Sequence, residues 1–154
     1  MSDLSTSESI LAEAQRIAAE QPGGTLATVH SEDATPYVTY VLFHLCPDGR
    51  VLFGSNERPQ HSRNMAATPE VSFLIDNREV VSSDWNRFDR IVIEGRAEHV
   101  KKDDARYAGY LADLRAKNET AAQFTEAGNL YCIFPRRMIL AKGLNPGKHL
   151  VEFE

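Results

Sequence analysis

Apolar residues recur first with helical spacing and then with strand spacing. Residues 5 to 20 predict an amphipathic helix, because five apolar side chains fall on one face. These are Ile10, Leu11, Ala14, Ile17 and Ala18. Ser5 and Glu8 offer a capping box at its start, and Pro22 with two glycines ends it.

The segments that follow are rich in β-branched and aromatic residues. They are TLATVHS (25 to 31), PYVTYVLFHL (36 to 45), RVLFGS (50 to 55) and VSFLID (71 to 76). Polar turns join the first three, which predicts antiparallel neighbours. Two longer strands follow at 87 to 102 and 130 to 143. Gly95 in the first marks a bulge or bend, and Pro135 in the second requires an edge, a bulge or an interruption.

Two helices lie between these long strands. Asp103 or Asp104 caps the first, and a second spans 119 to 127. The first helix carries a stripe that favours a core or subunit contact over a cofactor site: Tyr107, Tyr110, Leu111 and Leu114. No linker or repeat interrupts the chain. We therefore predict a single domain over 1–154, mainly β with added helices, built on a closed six-stranded antiparallel barrel.

Charge and cysteine content limit the function. The chain has 17 basic and 22 acidic side chains and a net charge of −5, which disfavours a nucleic acid or an anionic membrane as partner. Cys46 and Cys132 lie far apart and form no CxxC pair, so a cytoplasmic protein without a disulfide framework is expected. The histidines show no metal-ligand spacing. The N-terminus lacks the basic start and apolar core of a signal peptide and no apolar run reaches about 18 residues, so neither a signal peptide nor a membrane span is expected.

The stretch from 54 to 69, GSNERPQHSRNMAATP, carries the main candidate chemistry. A strand ends in a turn with Arg58, a helix starts at Pro59, and its first turns hold His61, Ser62 and Asn64. Free N–H groups and the helix dipole at such a start attract an anion, and phosphate is the natural ligand. The competing interpretation is an ordinary solvated helix start.

Three segments together resemble the FMN-binding split-barrel proteins related to pyridoxamine 5′-phosphate oxidase. The segments are PYVTYVLFHLCPDGRVLF, SNERPQHSRNMAATPEVSFLI and DRIVIEGRAEHV. The resemblance implies a six-stranded split barrel that forms a homodimer, with FMN bound along the subunit interface and a small-molecule substrate. The C-terminal signature that binds substrate in the true oxidases is absent from LYCIFPRRMILAKGL, so the chain is not expected to be a true pyridoxamine 5′-phosphate oxidase.

The resemblance also assigns cofactor-binding positions. Near the FMN phosphate it places Arg58, His61 and Ser62, with Ser55 and Asn56 at the turn and Asn64 in support. Where the oxidases carry a basic pair and a flavin-contacting glutamine, this chain has Thr39, His44 and Arg90. Trp85 is favoured as a loop anchor packed on the barrel, over an aromatic wall near the flavin or the partner subunit.

The function implied is that of an FMN-dependent oxidoreductase. The flavin would carry hydride or electrons between a reduced donor and a small acceptor, and no residue shows the spacing of a catalytic acid or base. Three alternatives stay open: a non-enzymatic flavin-binding protein, a deazaflavin-dependent reductase, and a haem-binding or haem-degrading relative with His149 as a conceivable axial ligand.

Overall fold

The computed structural model describes residues 3–56 and 59–154. Its strands are β1 (Gly23–Val29), β2 (Pro36–Leu45), β3 (Val51–Ser55), β4 (Glu70–Asp76), β5 (Asp89–Val100), β6 (Asn129–Lys142) and β7 (Lys148–Glu152). Its helices are α1 (Ser7–Ala19), α2 (Gln60–Ala67), α3 (Arg78–Val81), α4 (Tyr107–Lys117) and α5 (Glu119–Ala127), with a 3₁₀ turn at Trp85–Arg87. In the part described, no helix is long and apolar enough to cross a membrane.

The strands form an antiparallel sheet that closes on itself. Its order is β3-β2-β1-β4-β5-β6-β7, and β3 also pairs with β6. Strands β1 to β6 therefore make the closed six-stranded barrel that the sequence predicts. β7 was not predicted. It pairs with the second half of β6, from Arg137 to Ala141, and so extends the sheet where β3 no longer covers that strand.

A bulge opposite Gly95 bends the two longest strands. Glu94 pairs with Arg137 and Gly95 with Pro135, so Arg136 is the extra residue. Pro135 lies where the other edge of β6 passes from β3 to β7, a position at which a missing N–H breaks no ladder. A side chain on Gly95 would overlap the carbonyl oxygen of Phe134. Both predictions for these residues are confirmed.

The main core fills the barrel and continues into α1. Its large buried side chains include Phe43, Phe53, Phe73, Ile91 and Ile93. Ile10, Ala14, Ile17 and Ala18 of α1 pack in the same cluster, as their spacing predicts. The predicted cap is wrong by one residue, because Thr6 caps the helix and its Oγ1 accepts the N–H of Ser9. Ser9 completes the capping box in place of the expected glutamate.

Helices α4 and α5 cover a second, smaller core outside the barrel. Leu114 of α4 packs there with Leu52 and Cys132, and Tyr107 and Tyr110 border it, so the apolar stripe of α4 is a packing surface. Asp104 is not the N-cap. It lies in the preceding turn, where its carboxylate accepts the N–H of Arg106 at 2.8 Å.

Two glycine substitutions test the bulge. Gly95→Ala is expected to lower the free energy of unfolding by about 2 kcal/mol, because the backbone of β6 must move. Gly109→Ala is the matched control: it meets nothing within 4 Å in α4 and should raise stability by about 0.5 to 1 kcal/mol. Urea unfolding measures both. Equal, small effects would contradict the close packing at Gly95.

Candidate functional site

The end of β3 and the start of α2 create the candidate site. β3 ends at Ser55, and α2 begins at Gln60 with Pro59 as its N-cap, so the helix starts one residue later than the sequence predicts. The first N–H groups of a helix have no carbonyl within the helix to bind. Ser62 N–H already donates to the carbonyl of Pro59 at 3.1 Å, so the N–H groups of Gln60 and His61 are the ones that can bind a ligand or water. Arg58, predicted to serve this site, lies outside the described residues.

Three buried polar side chains meet at this point, and we call Ser55, His61 and Ser62 the polar cluster. Ser55 Oγ lies 2.5 Å from His61 Nε2 and 3.0 Å from Ser62 Oγ. Ser62 Oγ donates to the carbonyl of Asn56 at 2.9 Å. None of the three is more than 8% exposed. The structure therefore brings together three of the predicted phosphate-site residues and uses Asn56 as their acceptor.

The polar cluster is uncharged at neutral pH. Burial lowers the pKa of His61 below its usual 6.5, so the imidazole is neutral. Its Nε2 either donates to Ser55 Oγ or accepts from it, depending on which ring nitrogen holds the proton. A hydroxyl that can donate or accept adapts its proton to a bound anion. The cluster thus offers hydrogen bonds to an anion, and any positive charge must come from elsewhere.

Asn64 fixes α2 against the barrel. It is fully buried, its Oδ1 accepts the N–H of Ser31 at 2.8 Å, and its Nδ2 donates to Thr28 Oγ1 at 2.8 Å. Gln60 Nε2 donates to the same Oδ1 at 2.8 Å. These bonds tie the helix to the end of β1, so Asn64 holds the polar cluster in place from behind.

An apolar pocket of about 230 Å³ opens beside the cluster, and we call it the β2 pocket. Tyr40 and Leu42 of β2 form one wall, Ala121 and Phe124 of α5 form another, and the polar end carries Ser55 with His61. α5 approaches closely because Gly54 has no side chain: a Cβ there would overlap Thr125 Oγ1. The pocket therefore pairs apolar walls with a hydrogen-bonding end.

The other three predicted cofactor residues make their contacts elsewhere. Thr39 pairs with Leu26 in the β1–β2 ladder. His44 is half-buried in a separate cavity beside Lys117, and burial together with that lysine lowers its pKa. Arg90 donates to the carbonyl of Gly143 at 3.2 Å. Their roles toward a flavin stay predictions.

The walls of the β2 pocket are not among the residues that the sequence predicts for the site. Tyr40 and Leu42 point to the same side of β2, which the alternation of the strand could have indicated. Phe124 lies far along the chain and carries no such signal. Trp85 is not packed on the barrel as favoured: it is 60% exposed and contacts the edge of Phe88, with ring centroids 5.2 Å apart.

Comparison with known proteins supports one family. Residues 10–131 match the family profile described as pyridoxamine 5′-phosphate oxidase. No curated protein matches the chain. Among solved structures, a heme binding protein from Mycobacterium smegmatis superposes with a TM-score of 0.78 at 22% identity over 92% of this chain. The chain spans only 57% of that protein.

Two further structures are similar along most of their length. HutZ, the heme storage protein from Vibrio cholerae, has a TM-score of 0.67 and 21% identity, covering 86% of this chain and 93% of its own. A FAD-binding protein from Mesorhizobium loti has a TM-score of 0.65 and 17% identity, covering 84% and 91%. Identities this low establish a shared fold.

The lowered pKa of His61 predicts a pH dependence of stability. Between the folded pKa and the unfolded value of about 6.5, the unfolded chain binds more protons, so stability falls as the pH drops below about 6.5. In His61→Gln the decline between pH 7 and 5 should be shallower, by at most about 1.4 kcal/mol per pH unit. His99→Gln, at an exposed position on β5, is the control for the substitution itself. An unchanged slope in His61→Gln would refute the buried neutral imidazole.

Proposed function

The chain belongs to the pyridoxamine 5′-phosphate oxidase family, and from that premise we propose that it is a flavoprotein that binds FMN. In this proposal the phosphate lies at the polar cluster and the start of α2, and the isoalloxazine ring lies against the β2 pocket. The protein would act as an oxidoreductase on a small molecule.

One observation carries the proposal: hydrogen-bonding and apolar surfaces meet in a single pocket. An FMN molecule has a dianionic phosphate at one end and a flat aromatic ring at the other. Ser55 and His61 face one end of the β2 pocket, while Tyr40 and Phe124 supply aromatic surface. Binding sites for cofactors combine largely apolar walls with a few directed polar groups in this way. The residues present therefore fit the flavin.

Charge for the phosphate must come from outside the polar cluster. His61 is neutral, so the cluster contributes hydroxyl and imidazole hydrogen bonds, and the first N–H groups of α2 add the helix dipole. Arg58, which lies between β3 and α2 in the sequence, would supply the ion pair. Because hydrogen bonds and positive charge would come from different residues at one place, a chain of net charge −5 could still hold a phosphate locally.

The flavin, when bound, supplies hydride or electron transfer. The residues of this chain would hold the phosphate, orient the ring on Tyr40 and Leu42, and keep water from one ring face. The electron donor would be a reduced nicotinamide. The C-terminal substrate signature is missing, so we do not propose pyridoxamine 5′-phosphate as the substrate. A flavin carrier without turnover and a deazaflavin-dependent reductase would use the same site.

Haem binding is the second candidate function. The similar proteins from M. smegmatis and V. cholerae are named for binding and storing heme. His149, the conceivable axial ligand, is half-buried on β7 and pairs there with Leu140. We rank this function second because the pocket described above contains a phosphate-type polar end, which an iron porphyrin does not require.

We further propose that two copies of the chain complete the site. The β2 pocket holds about 230 Å³, less than the roughly 300 to 1,000 Å³ of typical cofactor sites. Large apolar side chains stand exposed at its margin and beyond: Val38 at 63%, Tyr40 at 57% and Trp85 at 60%. Such surface is typical of a protein interface. A cytosolic location, suggested by the free Cys46 and Cys132, belongs to the same proposal.

A double variant tests the phosphate site. Arg58→Ala with His61→Ala should weaken FMN by about 100-fold, or about 2.7 kcal/mol, because a charge-assisted pair and a hydrogen bond are lost. Riboflavin has no phosphate and should bind almost unchanged. Quenching of flavin fluorescence measures both, and Arg63→Ala, on the exposed side of α2, is the matched control. Equal weakening of FMN and riboflavin would argue against the assignment.

A charge placed on β2 tests the dimer. Val38→Asp should convert the dimer to a monomer in sedimentation and weaken FMN, because an unpaired carboxylate buried at an interface costs about 3 kcal/mol or more. Leu150→Asp, on an exposed strand position of β7, should leave both properties intact. A native protein that sediments as a monomer and binds FMN fully would exclude the two-chain site.

A further inference from the structure

A large groove begins next to the polar cluster and extends beyond the flavin site described above. It has a volume of about 940 Å³ and runs between the turn after β3, the end of β5 and the end of α5. We call it the α5 groove. The residues that matter to its chemistry are Asn56, Pro59, His99, Lys101, Lys102 and Tyr107.

The α5 groove is continuous with the phosphate site. Asn56 accepts a hydrogen bond from Ser62 through its carbonyl and lines the groove beside Gly128. Pro59, the N-cap of α2, lines both the groove and the β2 pocket. A phosphate at the polar cluster would therefore stand at the mouth of the groove, and a ligand extended beyond that phosphate would enter it.

The groove has a basic character in an acidic protein. His99, Lys101 and Lys102 lie on its β5 side, all exposed. Lys102 Nζ donates to the carbonyl of Glu126 at 3.1 Å, which leaves Lys101 as the cation best placed for a ligand.

Nearby carboxylates are engaged by arginines. Glu98 and Asp104 both pair with Arg106, and Glu126 pairs with Arg115. These pairs reduce the negative charge that would otherwise oppose an anion in the groove.

Tyr107, whose hydroxyl makes no hydrogen bond among the described residues, also lines the α5 groove. Tyr107 Oη is buried and has no hydrogen-bond partner in the part of the chain that the structure describes. Leaving a buried hydroxyl unpaired costs free energy, so such groups are few in folded proteins. Because the Tyr107 oxygen is shielded from solvent, a ribose or phosphate oxygen in the groove would have to displace the atoms that cover it to become its partner. The ring of Tyr107 and that of His99 also provide aromatic surface for a base.

We propose that the α5 groove receives the adenylate half of a flavin dinucleotide, so that the site accepts FAD in preference to FMN. This inference rests on the proposed function, because the flavin half would occupy the β2 pocket. The second phosphate would meet Lys101, and the adenosine would lie between His99 and Tyr107. A covalently joined adenylate is favoured over a free nucleotide because Asn56 and Pro59 belong to the phosphate site and the groove alike.

Binding of riboflavin, FMN and FAD to the full-length protein tests the groove. Affinity should rise in that order, with FAD bound about tenfold more tightly than FMN, as expected for an added ion pair and hydrogen bond. Lys101→Glu should remove the advantage of FAD and leave riboflavin and FMN unchanged. Lys148→Glu, the same charge change on β7 at the other end of β6, should alter none of the three.

The possible results distinguish the proposed flavin function from the assignment of the α5 groove. Failure of FMN to bind more tightly than riboflavin would overturn the proposed function. Tight FMN binding with no preference for FAD, or an equal loss of FMN and FAD in Lys101→Glu, would overturn the groove assignment alone. Binding of free AMP to the FMN-loaded protein without a preference for FAD would also overturn it, because the adenylate would then belong to a separate ligand.

Discussion

The contact of Ser55 with His61 joins the barrel to α2, and the candidate site depends on it. Ser55 is the last residue of β3, which is held between β2 and β6 where the barrel closes. His61 lies in the first turn of α2. A strand held on both sides fixes the hydroxyl, and Asn64 fixes the helix from behind. The open end of α2 is therefore presented at a defined point beside the β2 pocket.

This arrangement separates hydrogen bonding from charge. The polar cluster is buried and neutral, so its formation does not require the desolvation of an ion. In the two proposals, positive charge comes from other side chains, Arg58 and the lysines of the α5 groove. A ligand is then selected by where its phosphates lie along the surface. Both proposals, the flavin site and its adenylate extension, follow from this division.

The elements with a strong local pattern could be predicted from the sequence. β2 spans 36 to 45 and α5 spans 119 to 127 as predicted, and the bulge follows from Gly95 and Pro135. β7 could not be predicted in the same way, because KHLVE is short and largely polar and becomes a strand by pairing with β6. The start of α1 was missed because several neighbouring hydroxyl residues compete for the cap.

The candidate site was likewise predictable only where its residues are close together in the sequence. Ser55, His61 and Ser62 could be predicted together because they lie within eight consecutive residues of one strand, turn and helix. The β2 pocket could not, since Tyr40 and Phe124 meet only through packing of α5 on β3. Thr39, His44 and Arg90 were assigned by resemblance alone. His44 shares a cavity with Lys117, and Arg90 donates to the carbonyl of Gly143, and no local pattern indicates either neighbour.

The most direct test of the central claim is to release the ligand from protein purified without added cofactor and identify it by mass and absorption. The account predicts a yellow protein that releases a flavin carrying at least one phosphate. Release of haem, with its Soret absorption, or a colourless protein that fails to bind added FMN and FAD, would contradict it.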